Sequence, residues 1–375
     1  MRYFSINNLF KLFLIILVFS TSSCTLGRFI WYNFADITDY KIFPSRPLKA
    51  STPFYHFQEG INNPSVNEVL KNEAKEKGFN AFDDLVSKNK SVAFLIIRND
   101  SILYENYYHD YTDSSIVPSF SMAKSVISML LGIAKGEGYI KDESQPITDY
   151  IPELKNKGGF EKITIKDLLQ MESGIKSSEN YYSPFSHVAK LYYGRNQMRM
   201  IKNLKVEEPP EKGFKYKSIN SLLLGLILER ATGKQITTYL QEKIWTPIGM
   251  EFDASWSLDK KKNGLEKTFC CLNVRARDFA KLGRLYLNKG NWNGKQIVPM
   301  EWVMKSTINS PNNSVWWYSY QWWHQNPNDG DFFADGFLGQ FIYVYPAKNI
   351  IMVRLGKRYG KVKWPDMFEE LAQKL

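Results

Sequence analysis

Apolar residues follow two different spacings along the chain, and the changes of spacing outline its elements. Residues 92–98 form a continuous apolar strand, residues 99–100 have turn composition, and residues 102–108 have the composition of a returning strand. This succession predicts a β-hairpin. From Ser121 onward apolar side chains recur at helical spacing, and most segments between about residues 142 and 272 are helical or loop-like.

The C-terminal part of the chain returns to strand-like patterns. Residues 341–345 and 350–355 are two more apolar runs, and a helical pattern begins near Pro365. Strands at both ends of a helical middle predict one α/β (α+β) unit, in which an antiparallel sheet flanked by helices is completed by the C-terminal strands. The segment from about residue 142 to 272 then forms an all-helical region inserted into this unit.

The first residues have the order of a secretory signal: basic residues, a short apolar run at residues 12–19 and small residues before Cys24. The apolar run is too short for a membrane span, which needs about 20 residues. Small residues that run into a cysteine resemble a bacterial lipobox. This resemblance implies that residues 1–23 are a signal peptide and that Cys24 is lipidated. An ordinary signal peptide cleaved nearby is the alternative.

The segment after the signal is predicted to be an extended leader, residues 24–60, that carries the lipid anchor. It contains three prolines, which disfavour a helix. Residues 61–375 then make up the folded domain. This arrangement predicts a protein of the bacterial cell envelope, either facing the periplasm or held on the outer membrane as a lipoprotein.

The charge balance bears on the class of partner. The chain has 49 Lys and Arg residues against 38 Asp and Glu residues, a formal net charge of +11. Basic and acidic residues alternate, and no block of five or six like charges occurs, so a nucleic-acid partner is not predicted. A positive surface of this kind favours contact with anionic lipid or glycan.

The composition also argues against a metal site or a cofactor. Only three Cys and four His residues are present, with no His-Glu-x-x-His motif and no pair of Cys-x-x-Cys motifs. Cys270 and Cys271 are adjacent, and a disulfide between neighbouring residues is rare. The sequence therefore predicts two buried thiols at this position.

Ser121 and Lys124 form the first candidate motif for chemistry. Three residues span just under one helical turn, so a serine at a helix start and a lysine three positions later share a face. A buried lysine can become neutral and activate the hydroxyl, and the helix N-terminus favours a developing oxyanion. Three other serines have a lysine at this spacing: Ser87, Ser173 and Ser257. Only Ser121 opens a long apolar helix directly after a hairpin, and this context singles it out.

Two further segments are candidates for chemistry. Tyr216 stands beside Lys217, and a tyrosine hydroxyl near an ammonium group can act as general acid or base. Residues 334–340 enter a predicted strand, and their glycines allow a ligand to approach the backbone, where an N–H can complete an oxyanion hole. Taken alone, each segment has a structural alternative, a loop tyrosine and a β-bulge respectively.

An aromatic run occupies residues 316–323. Large rings at strand spacing more often fill a core than bind substrate, although some can line a cleft. His324 follows the run without an acid or nucleophile to pair with, so it is given no role. A Ser-His-Asp hydrolase is disfavoured because no Gly-x-Ser-x-Gly segment occurs.

Together these motifs resemble those of the serine β-lactamase and penicillin-binding-protein superfamily. Within it the chain is most similar to the class C-like branch, near the 6-aminohexanoate-oligomer hydrolases and related esterases, over roughly residues 80–360. The resemblance implies a β-lactamase/transpeptidase-like fold. It also implies that Ser121 is the nucleophile, Lys124 the general base and Tyr216 a proton shuttle. The backbone N–H groups of Ser121 and Phe337 are then the oxyanion donors.

The chain departs from the pattern of this branch at two positions. Ser218 stands where class C-like enzymes carry Asn, and its hydroxyl is still able to bind a substrate carbonyl. Ala334 stands where the third motif normally begins with Lys or His, so substrates without a carboxylate beside the scissile bond are expected to be preferred. Gly336 is expected to line the substrate site. Tyr181 is expected to assist amide turnover from a cleft loop, with Tyr182 as the alternative.

The resemblance implies a secreted serine hydrolase that cleaves a small amide or ester through an acyl-enzyme on Ser121. Its partners are that small-molecule substrate and, through the anchor at Cys24, a membrane. Two alternatives remain open. One is a peptidoglycan D-alanyl carboxypeptidase or endopeptidase with the same residues, and the other is a non-catalytic envelope protein that binds a ligand.

Overall fold

A computed structural model describes residues 25–32, 34–60, 63–308 and 314–375. The predicted signal peptide and Cys24 lie outside these residues. The described part of the chain is built on an eight-stranded sheet, a four-stranded sheet and a two-stranded hairpin. No helix in this part combines the length and the apolar character that crossing a membrane requires.

The bounds of the elements are as follows. The strands are β1 Ser45–Leu48, β2 Gln58–Glu59, β3 Ser91–Arg98, β4 Ser101–Tyr107, β5 Val117–Pro118, β6 Ala254–Ser257, β7 Leu272–Val274, β8 Asn291–Trp292, β9 Lys295–Gln296, β10 Tyr318–Ser319, β11 Trp322–Trp323, β12 Phe332–Gly336, β13 Gln340–Tyr345 and β14 Ile350–Gly356. The helices are α1 Thr25–Tyr32, α2 Pro64–Glu76, α3 Phe82–Lys88, α4 Met122–Gly136, α5 Ile165–Leu169, α6 His187–Tyr193, α7 Gln197–Lys202, α8 Ser218–Thr232, α9 Ile236–Leu240, α10 Ala276–Leu287, α11 Met300–Thr307 and α12 Trp364–Lys374.

The large sheet joins the two ends of the chain, as predicted. Its strand order is β10-β11-β12-β13-β14-β3-β4-β2, and every pair is antiparallel except β2 with β4. The predicted hairpin is β3 and β4, and β14 pairs with β3 so that Met352 lies opposite Ile96. The C-terminal strands therefore complete the sheet that the hairpin begins.

Helices cover both faces of this sheet. On one face Phe94 and Ile96 of β3 pack in a core with α2, α3 and α12, while on the other face Leu95 and Ile97 join the core that contains α4 and α10. Side chains of a strand alternate between faces, so a strand buried on both sides is apolar throughout. This is why β3 appears in the sequence as a continuous apolar run.

The inserted region is mostly helical but not entirely so. The predicted helices within it are present, and α8 ends at Gly233, whose backbone φ of +68° suits a left-handed helix cap. Strand β6 also falls in this region and forms the small sheet in the order β1-β6-β7-β5. Residues 254–257 are Ala-Ser-Trp-Ser, in which Trp256 is the one large apolar side chain, so the segment is too short and too mixed to indicate a strand. The prediction of an all-helical region is wrong there.

The segment predicted as an extended leader is instead part of the folded unit. It begins with helix α1, and its strands β1 and β2 pair with β6 and β4. In α1, Phe29 is buried while Ile30 and Trp31 are exposed, so the helix has two unlike faces. Pro47 is tolerated in β1 because this strand lies at the edge of its sheet.

Candidate active site

Ser121 and Lys124 are in contact at the start of α4. Lys124 Nζ donates one hydrogen bond to Ser121 Oγ, 2.8 Å away, and another to the carbonyl oxygen of Phe269, 2.7 Å away. Lys124 is buried. The lysines of the other three serine–lysine pairs are more exposed: Lys90, Lys176 and Lys260. The structure thus gives Ser121 the buried partner that the sequence context predicted.

The surroundings of Lys124 favour its neutral form. Burial lowers the pKa of Lys124 to about 7, while the carboxylates of Glu179 and Asp335 oppose this by favouring the charged form. A neutral amine has a lone pair that can accept the hydroxyl proton of Ser121, and it can still donate to the Phe269 carbonyl. The pair is therefore suited to generate an alkoxide near neutral pH.

Tyr216 lies above the same lysine. Lys124 Nζ is 5.1 Å from the centre of the Tyr216 ring. Burial raises the pKa of Tyr216 well above 10, and the nearby Tyr181 and Tyr318 add to this, while a hydrogen bond with Ser121 opposes it. The phenol therefore stays protonated at neutral pH. A neutral hydroxyl can accept one proton while it donates another, which suits a proton shuttle better than a phenolate base.

The turn after β12 brings Phe337 to the same pocket as Ser121. Gly336 ends β12, and a Cβ at this position would lie only 2.3 Å from the carbonyl oxygen of Ser119. The absence of a side chain thus lets β12 approach the segment that leads into α4. Ser121 and Phe337 line the same cavities, so their backbone N–H groups are candidates for the two donors of an oxyanion hole.

Ser218 is hydrogen-bonded to the carboxylate of Glu179, a residue to which sequence analysis gave no role. Glu179 accepts hydrogen bonds from the Ser218 backbone N at 2.8 Å and from Ser218 Oγ at 2.9 Å. Burial raises the pKa of Glu179, and Lys124 opposes this. Glu179 therefore links the end of the tyrosine motif to the cleft loop. In the sequence, the only indication that Glu179 belongs to the site is its position two residues before Tyr181.

The two neighbouring tyrosines of the cleft loop have different environments. The Tyr181 ring stacks on Phe337 with 5.0 Å between ring centres, and its hydroxyl points to Glu179 at 3.5 Å. Tyr182 is 69% exposed. Tyr181 lines both cavities that contain Ser121, whereas Tyr182 lines only one of them.

The third motif presents an acid to the cleft instead of a cation. Ala334 is fully buried in the core, and Asp335, the next residue of the strand, lines the cleft. Burial raises the pKa of Asp335 to about 7, and Lys124 and a backbone hydrogen bond from Gly336 oppose this. A substrate carboxylate in this part of the cleft would meet an acidic group, partly ionised at neutral pH, and no cation from the third motif.

Cys270 and Cys271 form a disulfide, so the prediction of two free thiols is wrong. Both residues are buried, and Cys271 has a left-handed backbone with φ +71°. Cys270 lines the pocket beside Ser121, and the preceding residue supplies the carbonyl that binds Lys124. The disulfide therefore lies in the loop whose Phe269 carbonyl binds the lysine. Sequence rules missed it because they rest on the rarity of such bonds, not on the local backbone.

Two connected cavities meet at Ser121. The first, which we call the inner pocket, is lined by aromatic rings and by the disulfide loop: Phe29, Phe34, Tyr181, Tyr192, Tyr193, Phe269 and Phe337. The second, the outer cleft, contains Tyr216, Trp323, Asp335 and Arg358. Sequence analysis did not foresee that the N-terminal segment lines the inner pocket.

Three of the six rings in the aromatic run fill the core, those of Tyr318, Tyr320 and Trp322, whereas Trp316 and Trp317 are exposed. Trp323 contributes to the outer cleft, with its ring 5.7 Å from that of Tyr216. His324 is buried, and its Nδ1 contacts the carbonyl oxygen of Asp331 at 3.3 Å. Within the described residues no group of three or more His, Cys, Asp or Glu side chains is arranged to hold a metal ion.

The sequence also matches a family of known proteins. A family model described as Beta-lactamase covers residues 80–373. The chain belongs to the Beta-lactamase family. This membership identifies the protein as a serine hydrolase and confirms the fold predicted from the resemblance.

The relatives include enzymes that act on amides and esters. The 6-aminohexanoate-dimer hydrolase of Paenarthrobacter ureafaciens is 26% identical over 302 residues, which are 73% of this chain and 73% of that protein. A solved structure named "Putative 6-aminohexanoate-dimer hydrolase from Bacillus anthracis" has a TM-score of 0.78 and 24% identity, over 92% of this chain and 93% of the other. A family VIII carboxylesterase has a TM-score of 0.64 and 16% identity, over 84% and 99%. The two structures show a shared fold.

Proposed function

We propose that this protein is a secreted serine hydrolase that cleaves a small amide or ester through an acyl-enzyme on Ser121. The observation that carries the proposal is the buried contact of 2.8 Å between Lys124 Nζ and Ser121 Oγ. A hydroxyl becomes a useful nucleophile when a base lies within hydrogen-bonding distance, and burial keeps this lysine neutral part of the time at pH 7. The names of the relatives, amide and ester hydrolases, support the same class of substrate.

Acylation follows from the positions of these groups. Neutral Lys124 takes the proton of Ser121 as Oγ forms a bond to the substrate carbonyl carbon. The carbonyl oxygen becomes an oxyanion, which the backbone N–H groups of Ser121 and Phe337 stabilise. Protonated Lys124 returns its proton through the Tyr216 hydroxyl to the departing amine or alcohol, and the scissile bond breaks. The acyl group then remains as an ester on Ser121.

Deacylation runs the same proton path in reverse. Water attacks the acyl ester and loses a proton to the Tyr216 hydroxyl, which passes its own proton to neutral Lys124. The lysine then reprotonates Ser121 Oγ as the carboxylic acid product leaves. The high pKa of Tyr216 agrees with this relay, because at no stage does the tyrosine need to be a stable phenolate.

The cleft favours substrates that are neutral at the scissile bond. The inner pocket is lined mainly by aromatic rings, Ala334 stands where related enzymes place a cation, and the neighbouring Asp335 lines the outer cleft. Arg358 also lines the outer cleft, but its side chain is more than half exposed and is paired with Asp36. A carboxylate therefore gains little there. We expect neutral esters and amides to be preferred over β-lactams and D-alanyl-D-alanine peptides.

The test is to incubate the purified protein with a nitrophenyl ester, a nitroanilide, a chromogenic cephalosporin and a D-alanyl-D-alanine peptide. We expect kcat/KM to be highest for the ester or the anilide, with an acyl adduct on Ser121 found by intact mass and peptide mapping. Faster turnover of the D-alanyl peptide would favour a peptidoglycan carboxypeptidase. An absence of turnover and of any adduct would favour a non-catalytic protein.

Tyr216→Phe is expected to lower kcat by about 10²–10⁴-fold, the usual range when a general acid–base group is removed. The ring would still pack against Trp323, so folding should be unaffected, while the hydroxyl that relays protons is lost. Steady-state kinetics on the preferred ester, with thermal unfolding as the control for folding, measures this. A loss below about threefold would contradict the relay.

Asp335→Asn is expected to change both pH dependence and selectivity. The Asp335 carboxylate raises the pKa of Lys124, so its removal should move the acid limb of the kcat/KM profile to lower pH. Loss of negative charge should also raise kcat/KM for a carboxylate-bearing cephalosporin relative to a neutral ester, by about tenfold at most. An unchanged pH profile together with an unchanged ratio would show that Asp335 does not act on the cleft.

We further propose that the protein is held at a membrane of the cell envelope by lipid on Cys24. The support is the sequence pattern of basic residues, apolar run and small residues before that cysteine. In a bacterium that processes lipoproteins, the wild-type chain should partition into the detergent phase, whereas Cys24→Ala should accumulate as precursor or remain soluble. Identical distributions would favour simple secretion.

A further inference from the structure

The edge of the inner pocket exposes apolar side chains to solvent. Ile30 and Trp31, on the outward face of α1, are 69% and 70% exposed, and Tyr182 in the neighbouring loop is also largely exposed. Phe34 connects the two segments, since its ring centre lies 5.6 Å from that of Tyr182. We call Ile30, Trp31, Phe34 and Tyr182 the apolar rim. Single exposed apolar residues are ordinary, but a cluster of large ones is typical of a binding face.

The apolar rim borders the catalytic serine. Phe34 lines the inner pocket and Tyr182 lines the outer cleft, and Ser121 lies in both cavities. On the opposite side of α1, Phe29 packs edge-on against Tyr193 with 5.5 Å between ring centres, which fixes which side of the helix faces outward. A surface that contacts the rim would therefore lie across the mouth of the active site.

The start of α1 places the rim close to the proposed lipid anchor. The helix begins at Thr25, directly after Cys24, and at about 1.5 Å per residue Trp31 lies about 10 Å further along the axis. Amphipathic helices on membranes bury their apolar side by about 5–10 Å, and Trp and Tyr prefer the headgroup region. With acyl chains on Cys24 in the bilayer, the rim would be within reach of that region.

The charge near the rim suits an anionic surface. Lys190 on α6 and Arg195 just after it are exposed, and α6 packs against α1. Removal of residues 1–23, which contain Arg2 and Lys11 and no acidic residue, lowers the formal net charge from +11 to +9. Exposed basic residues next to an apolar face strengthen binding at anionic phospholipid headgroups.

We propose that the apolar rim docks on the surface of a phospholipid bilayer, so that the active site opens at the membrane and takes esters or amides with an acyl chain from it. The proposal rests on the lipid anchor and the hydrolase activity proposed above, and adds to them an orientation and a substrate class. The surface that covers the apolar rim is, in this proposal, the bilayer. The experiments below distinguish it from a second copy of the chain bound to the same face.

The first experiment detects docking without any need for activity. The full chain is reconstituted in phosphatidylethanolamine–phosphatidylglycerol vesicles whose acyl chains carry bromine near the headgroup or near the bilayer centre, and tryptophan fluorescence is recorded. We expect stronger quenching by the shallow bromine, and Trp31→Phe should remove most of it. Phe54→Gln is the matched control, an exposed ring on the same N-terminal segment outside both cavities. Quenching that Trp31→Phe leaves unchanged would overturn the proposal.

The second experiment tests delivery of substrate. Ile30→Gln/Trp31→Gln keeps helix-forming residues on α1 and should lower kcat/KM for a nitrophenyl dodecanoate held in vesicles by about tenfold or more. Turnover of soluble nitrophenyl acetate should stay within about twofold, because neither residue lines the site. Equal losses on both substrates, no loss on either, or a dimer in the absence of vesicles that the double variant abolishes would overturn the proposal. Failure of the wild type on the soluble ester would instead count against the proposed function.

Discussion

Ser121→Ala is expected to abolish turnover, with kcat/KM for the preferred ester at least about 10⁴-fold below that of the wild type. The methyl group cannot form the acyl ester, and the remaining oxyanion donors alone supply only a small part of the acceleration. Removal of one hydroxyl leaves the fold intact, since the hydrogen bond lost with Lys124 lies at the cleft rather than in the core. The variant should also fail to react with a fluorophosphonate probe.

Ser87→Ala is the matched control for this experiment. Ser87 has a lysine at the same spacing, but that lysine, Lys90, is exposed. The control should keep wild-type turnover and labelling. Labelling that survives Ser121→Ala, or turnover that falls equally in both variants, would contradict the assignment of the nucleophile.

The parts of the fold that the sequence predicted are those with strong periodic patterns. Strand β3 is buried on both faces and α4 is buried along nearly its whole length, so both have a strong apolar signal in the sequence. Strand β6 and the N-terminal helix α1 were missed for a different reason. Strand β6 has only four residues and α1 only eight, too few to show a clear period, and both are held by tertiary contacts, such as the pairing of β6 with β1 and the packing of Phe29 on Tyr193.

The residues of the candidate site also fall into two groups, those predicted from local sequence and those brought together only by the fold. Ser121 and Lys124 lie one turn apart on one helix, so local spacing was enough to bring them together. Glu179 and Asp335 approach Lys124 from two other segments, and no local pattern reports that proximity. Their effect is chemical, because two carboxylates hold the pKa of the lysine above the value that burial alone would give. The effect of these carboxylates on the pKa of Lys124 could therefore be found only from the structure.

Lys124→Arg is expected to lower kcat/KM by about 10²–10⁴-fold even though it keeps the positive charge. An arginine cannot be deprotonated in this pH range, so it cannot accept the Ser121 proton. Neutral Lys124 is the active form, and its pKa is lowered to about 7, so wild-type activity should fall as pH drops below 7.

The pH profile separates a base from a structural cation. The residual activity of Lys124→Arg should lack the acid limb that belongs to the lysine, whereas Lys176→Arg, the exposed partner of the Ser173 pair, should keep both the rate and the limb. A structural role would predict the opposite, because arginine would preserve a charge that only holds Phe269 and Ser121 in place. Activity of Lys124→Arg within about threefold of wild type corresponds to only about 0.7 kcal/mol in barrier. That result would leave Ser121 without its base, and Glu179 would be the next group to test, since it is buried close enough to Lys124 to affect its pKa.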